Sequence, residues 1–165
     1  DIIVKLRKGI FSVVLVFLVT LSLFPGLVSE MKSSNVSNDW WSLILFTVFN
    51  VTDTIGKFLP SFGQYLSLDT LLLGSVVRVG FVPLFVICVN PDVISWDWLQ
   101  AFIVAAFGIS NGYLGTVAMM LGPARVENRF KEKAGLVMVF FLTSGLAVGS
   151  WTGFGLKKLM GHTSL

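Results

Sequence analysis

Five apolar runs of about 20 residues constrain this chain more than any other feature, because about 20 helical residues rising about 1.5 Å each are what it takes to cross a bilayer core of about 30 Å. They fall at approximately 9–28, 40–60, 70–89, 98–121 and 134–156. In lipid, every backbone N–H and C=O must find its partner within the segment, so runs of this length are read as helices. The connectors agree: 29–39 carries Glu, Lys, Ser and Asn, Asn90-Pro91-Asp92 is a turn signal, and 122–133 is strongly charged. The connector 61–69 is less polar and carries little charge.

Composition closes off the soluble alternative. Only 13% of residues are charged and 55% are hydrophobic, where soluble domains carry about 25% charge. A soluble domain of 165 residues would need more polar surface than twelve Lys+Arg and nine Asp+Glu supply. The fold expected is an all-α integral membrane protein. Its net charge of +3 is scattered in short clusters beside the apolar runs, so no nucleic-acid partner is expected. Cys88 is the single cysteine, which excludes an internal disulfide and a thiolate metal cage. His162 stands alone in the tail, so neither a metal nor any other cofactor is expected. There is no HExxH zinc motif and no Walker-type phosphate loop, and the chain is not read as an enzyme. The first run, Ile10 to Val28, lacks a small-residue cleavage site and reads as a mature helix, and the opening Asp1-Ile2-Ile3-Val4 reads as the interior of a longer protein.

Lys and Arg in short loops stay on the cytosolic side. Lys5, Arg7 and Lys8 precede the first run, and Arg125, Arg129, Lys131 and Lys133 separate the fourth from the fifth. Both clusters face the cytosol if the N-terminal end is cytosolic and the C-terminus external. The loops 29–39 and 90–97 are then external and mainly acidic, with Lys32, Lys157 and Lys158 as exceptions. Asn35-Val36-Ser37 is a glycosylation sequon in an external loop, and an ordinary polar loop reads the same way. Trp40, Trp41, Trp96 and Trp98 fall at external span ends, where aromatic belts anchor a bundle.

An ionised residue near the bilayer centre costs at least about 2.5 kcal/mol, so it normally faces a cavity or a partner. Three lie within the runs: Asp53, Lys57 and Arg78. Asp53 and Lys57 are four apart and share a helical face, which Asn50 and Phe46 continue at the same period. At 1.5 Å per residue, Asp53 and Arg78 both sit roughly 10 to 12 Å from the cytosolic ends of their helices, so they are level enough to pair if those helices are neighbours. One carboxylate facing two cations suits a polar substrate rich in hydroxyl or carbonyl groups. A buried ion pair that only fixes helix register is the other reading. In the fourth run Ser110-Asn111-Gly112-Tyr113 interrupts the apolar sequence and offers polar groups to line a pathway. Gly108 and Gly112, and Gly145, Gly149 and Gly153, are spaced for close helix packing.

These residues, taken in order, resemble the equilibrative nucleoside transporter family along nearly the whole chain. Leu23-Phe24-Pro25 and Glu30-Met31-Lys32-Ser33-Ser34 look like the end of that family's seventh helix and the loop after it. Phe49-Asn50-Val51-Thr52-Asp53-Thr54-Ile55-Gly56-Lys57 resembles the eighth-helix F-N-x-x-D-x-x-G-R, with Lys57 where Arg is usual. Arg78-Val79-Gly80-Phe81-Val82-Pro83 resembles the ninth-helix R-x-x-F-x-P. Ser110-Asn111-Gly112-Tyr113 with Gly122-Pro123 is similar to the tenth helix, and Ala134-Gly135 and the run 140–149 to the eleventh.

The resemblance implies the C-terminal half, helices seven to eleven, of an eleven-helix major-facilitator-like transporter whose six-helix N-terminal half is not in this chain. It implies facilitated, sodium-independent movement of nucleosides, sometimes nucleobases, by alternating access, most readily at the plasma membrane. On that pattern Asp53 and Lys57 contact the ribose hydroxyls, Arg78 supports them, and Phe46 and Asn50 lie beside the substrate. The ammonium of Lys57 lacks the two-pronged grip of a guanidinium. Two other readings stay open: a non-transporting membrane protein that works by helix association, and a proton-coupled carrier of another polar solute in which Asp53 titrates.

Overall fold

The computed structural model describes residues 2–63, 66–90, 94 and 96–163, the side chains of 2 and 160–163 excepted. The His162 side chain and the Pro91-Asp92 part of the expected turn lie outside the described residues. The described chain is helical: α1 (Ile2–Leu23), α2 (Asn38–Phe58), α3 (Leu68–Val77), α4 (Phe81–Val89), α5 (Asp97–Ala124) and α6 (Lys131–Thr163). With the short 3-10 turns that extend or join them, these make five rods long and apolar enough to cross a membrane: Ile3–Glu30, Asn38–Phe62, Leu68–Val89, Asp97–Ala124 and Asn128–Leu159.

The third rod is two helices rather than one. A 3-10 turn at Arg78–Gly80 divides α3 from α4. Pro83 is the physical cause: it has no N–H to give the carbonyl of Val79, and its ring crowds that carbonyl. The break leaves Arg78 as the first residue of the turn, with its side chain directed into the bundle and 1% exposed.

α1 and α5 form the centre. α5 packs on α1, α2, α3 and α6, and α1 packs on α3, α5 and α6. Glycines set the two closest seams. Where α2 crosses α5, a Cβ on Gly108 would lie 2.8 Å from the Phe49 carbonyl oxygen, and one on Gly112 would meet the Asp53 carbonyl. Where α6 crosses α1, Cβ atoms on Gly145 and Gly149 would fall 2.9 Å and 2.7 Å from the carbonyl oxygens of Val14 and Leu18. Lipid tails are as apolar as the helices, so close van der Waals contact of this kind holds a membrane bundle together where hydrophobic expulsion does not.

The interior is layered. An upper apolar cluster gathers Val19, Leu23, Leu45, Phe49, Phe85 and Phe107. A lower one gathers Val13, Val16, Leu71, Leu114, Val117 and Met138. Along α1, α5 and the third rod, the step from one cluster to the other is made by polar residues: Thr20, Asn111 and Arg78, all buried. A buried polar layer therefore lies between two dry ones.

At the helix ends expected to be external, Trp40, Trp96 and Trp98 are exposed. Trp41 departs from that expectation. It is buried, and its indole Nε1 donates to Gln100 Oε1 at 2.9 Å, while Gln100 Nε2 donates to the carbonyls of Lys32 and Ile94. Neighbouring residues on a helix point about 100° apart, so one tryptophan of the pair meets lipid and the other the core. Lys157, an exception to the charge rule, is paired with Glu30 at 2.8 Å.

Candidate functional site

The polar layer is one connected network. Lys57 Nζ lies 2.6 Å from Asp53 Oδ2, one turn back on α2. The other carboxylate oxygen, Oδ1, accepts from Asn111 Nδ2 of α5 at 2.7 Å. Asn111 Oδ1 lies 2.7 Å from the hydroxyl of Thr20 on α1, which donates to it. Thr20 Oγ1 in turn accepts from Arg78 Nη2 at 2.9 Å. Arg78 Nη1 donates to the Phe107 carbonyl at 2.9 Å and to Ser110 Oγ. Its guanidinium also lies over the Phe107 ring, 4.4 Å from the centroid, a cation–π contact.

Four helical rods are thus joined through a line that runs from a cation to an anion with donors all pointing one way. The expected direct meeting of Asp53 and Arg78 is not what the bundle builds. α5 stands between their helices, and Asn111 and Thr20 bridge the gap. The carboxylate therefore faces one cation directly and the second through two neutral side chains. Neutral bridges avoid setting two full charges against each other in low dielectric, where the geometry would have to be near ideal to offset desolvation.

The two ends of the α2 pair differ in exposure. The Asp53 side chain is 10% exposed, the Lys57 side chain 56%. Lys57 thus borders open space while Asp53 is held behind it. A cavity of about 320 Å³ adjoins Lys57 and is lined also by Phe17, Asn111, Gly112 and Thr116 among others. Asn50 and Phe46 stand above on the same side of α2. Asn50 is exposed and gives one amide N–H to its own helix, at the Phe46 carbonyl 2.8 Å away. Phe46 is half-buried and meets the Phe24 ring edge-on at 5.1 Å. A second hollow of about 440 Å³, lined by Asn50, Val51, Thr54, Ile55 and Phe58, continues that face of α2. Polar groups exposed on a spanning helix are better placed against protein or a water-filled path than against lipid.

Asn111 lines the cavity, whereas Ser110 sits with Arg78 on the other side of α5, beside a larger apolar crevice. Residues 108–112 also spell Gly-x-Ser-x-Gly, the lettering of a hydrolase nucleophile elbow. That motif needs a sharp strand-to-helix turn to expose its serine. Here the five residues lie in mid-helix, and the Ser110 hydroxyl donates to the Phe107 carbonyl while accepting from Arg78. Asn35, the sequon residue, gives its amide to Asp97 Oδ2 at 2.9 Å, within a loop that Asp97 also ties through Ser33.

Thr20 carries no sequence signal of its own. A threonine inside an apolar helix ordinarily bonds its hydroxyl back to the preceding turn, and the Val16 carbonyl does lie 2.7 Å away. Only the approach of α5 and Arg78 makes it a junction.

Five helices able to cross a membrane, with a buried ionic network bordering a cavity, define a multi-pass integral membrane protein. Comparison with known proteins narrows the class. A family model described as "Nucleoside transporter" matches residues 1–158, and the chain belongs to that family. It is 37% identical over 151 residues to "Equilibrative nucleotide transporter 1" of Arabidopsis thaliana, covering 91% of this chain and 34% of that protein. It is 36% identical over 163 residues to "Equilibrative nucleoside transporter 1" of Homo sapiens, covering 91% and 36%. Against "Equilibrative nucleoside transporter 2" of Rattus norvegicus the identity is 37% over 169 residues, covering 94% and 37%. The chain spans about a third of the length of these relatives.

Proposed function

We propose that this chain supplies the C-terminal half of a facilitative nucleoside transporter, and that Asp53 and Lys57 hold the ribose of the substrate. The observation that carries the reading is the asymmetry of the α2 pair: a carboxylate fixed from behind by Asn111, and an ammonium half-exposed at the rim of a cavity.

A sugar hydroxyl both donates and accepts, so two neighbouring hydroxyls match a carboxylate that only accepts and an ammonium that only donates. The substrate must part Lys57 from Asp53 to enter. An ion pair with one partner this exposed is worth on the order of 0–1 kcal/mol, so opening it is cheap compared with the charge-assisted hydrogen bonds gained. Phe46, backed by the Phe24 ring, offers an apolar edge for the base, and Asn50 a polar neighbour. Arg78 acts from within, through Thr20 and Asn111; Asn111 lines the pathway side of α5, and Ser110 stays with Arg78 on the other side.

The exposed polar strip of α2 is the face that a six-helix N-terminal half would cover, completing the cavity for alternating access. The charge clusters support a cytosolic N-terminal end and an external C-terminus, while the family resemblance supports residence in the plasma membrane or an intracellular one, with nucleobases as further substrates.

The test is uptake of labelled adenosine and uridine by the full-length protein carrying this chain, in cells without endogenous nucleoside uptake. Saturable uptake that persists when sodium and proton gradients are collapsed is the expected result. Uptake that vanishes with the proton gradient would replace facilitation by proton coupling, and no uptake at verified surface expression would overturn the substrate.

A further inference from the structure

We propose that Thr20 is a positioning residue for the substrate site, which it never touches: its hydroxyl anchors the Asn111 amide from behind and thereby holds in place the donor that Asp53 receives. The inference rests on the nucleoside reading above and extends it to α1.

An asparagine amide has two ends of opposite character, and which end faces a neighbour is decided by its partners. Asn111 has one partner on each side. Toward α2 it meets Asp53 Oδ1 at 2.7 Å, an atom that only accepts from it when ionised. Toward α1 it meets Thr20 Oγ1 at 2.7 Å. A hydroxyl can give or take, so Thr20 by itself would select neither orientation. Arg78 removes the ambiguity. Its Nη2 donates to Thr20 Oγ1 at 2.9 Å, which occupies oxygen lone-pair space and leaves the hydroxyl proton to be given away. The Val16 carbonyl competes for that proton at the same 2.7 Å, but it is a backbone group already within a helix, whereas Asn111 Oδ1 is buried and needs it.

The result is a one-way line of donors from guanidinium to carboxylate, and such chains polarise their members in the same sense. Replacing Thr20 by valine keeps the shape and deletes the only group that can both accept from Arg78 and donate to Asn111. Asn111 Oδ1 is then buried without its donor, the amide is anchored only at its Asp53 end, and the carboxylate loses a firmly held partner behind Lys57.

The test uses the full-length protein with three substitutions, Thr20→Val, Thr20→Ser and Asp53→Asn, at equal surface expression. Thr20→Val should raise the KM for uridine about tenfold, the size typical of residues coupled in one network. It should change the KM for 2′,3′-dideoxyuridine, which lacks the hydroxyls assigned to Asp53, less than about twofold. Thr20→Ser keeps the hydroxyl and should stay within about twofold of the parent for both. In the Asp53→Asn background Thr20→Val should add no further loss.

An unchanged KM in Thr20→Val, or an equal loss for both substrates that multiplies with that of Asp53→Asn, overturns the proposal. A parent that takes up no nucleoside defeats the substrate reading and the role of Thr20 in affinity together. The coupling itself is read separately from melting temperatures of the purified single and double variants: losses smaller together than their sum support the link, and additive losses refute it.

Discussion

The α1–α6 seam and the α2–α5 seam use the same device and do different things with it. Both bring backbones together over glycines: Gly145, Gly149 and Gly153 against Val14, Leu18 and Leu21, and Gly108 and Gly112 of α5 against the turn of α2 that holds Thr52 and Asp53, with Gly56 of α2 against Ile109 of α5. The first seam is flanked by apolar side chains and by Ser22, whose hydroxyl donates to Leu18 and meets Thr152 at 2.9 Å. Between these glycines no ionised side chain takes part among the described residues; the Lys157–Glu30 pair lies beyond them. The second seam is flanked by the Asp53 carboxylate and the Asn111 amide. Small residues therefore explain closeness in both places, and the ionic group alone distinguishes the seam proposed to hold the substrate.

The sharpest way to break this comparison is to add one methyl to each seam. Gly112→Ala drives a Cβ into the Asp53 carbonyl, and α2 must retreat. Gly149→Ala presses on the Leu18 carbonyl, 2.7 Å from the built Cβ. Each should destabilise by about 1–3 kcal/mol, the usual range for overpacking. Only Gly112→Ala should also abolish saturable uptake by the protein that reaches the surface. Gly149→Ala should leave KM within about twofold, because its seam holds and does not bind. Melting temperature and uptake measured on the same preparations separate the two.

At the next level, Lys57→Gln removes the cation but keeps a donor, and KM for uridine should rise about tenfold, roughly one charge-assisted hydrogen bond. Lys57→Arg should restore binding and shift the ratio of uridine to deoxyuridine uptake, since a guanidinium can engage two hydroxyls at once. Uptake kinetics with the two nucleosides give the ratio.

The bundle itself was legible because lipid enforces simple rules. Length and hydropathy marked five helices, and the i to i+4 spacing of Asp53 and Lys57 placed a charge pair on one face, as found at 2.6 Å. Arg78 and Asn111 stood out as polar residues that a membrane segment carries for a reason. What the sequence could not convey was which helices are neighbours. A level Arg78 looked able to reach Asp53, but α5 intervenes. Thr20 and Gln100 are ordinary residues until the third dimension supplies Arg78 and Trp41 as their partners. The break at Arg78–Gly80 was written in Pro83, whose effect on the preceding turn is local and so readable in principle.

The smallest expected effect lies far from both seams. Lys157→Gln loses an exposed ion pair with Glu30 and should destabilise by less than about 1 kcal/mol, with uptake unchanged. A large loss of uptake there would mean that the Glu30–Lys157 contact takes part in the transport cycle, and the contrast between the seams would fail. Thermal melting alongside uptake decides it.

The measurement that bears most directly on the central claim is uptake of labelled adenosine and uridine by the full-length protein and by its Asp53→Asn form, at equal surface expression and verified folding. Saturable uptake by the parent and a loss of at least about tenfold in affinity in Asp53→Asn are expected, because an amide replaces the acceptor-only carboxylate behind Lys57. Asp53→Asn uptake equal to that of the parent would contradict that claim, and would leave the buried ionic network a means of holding the helices in register.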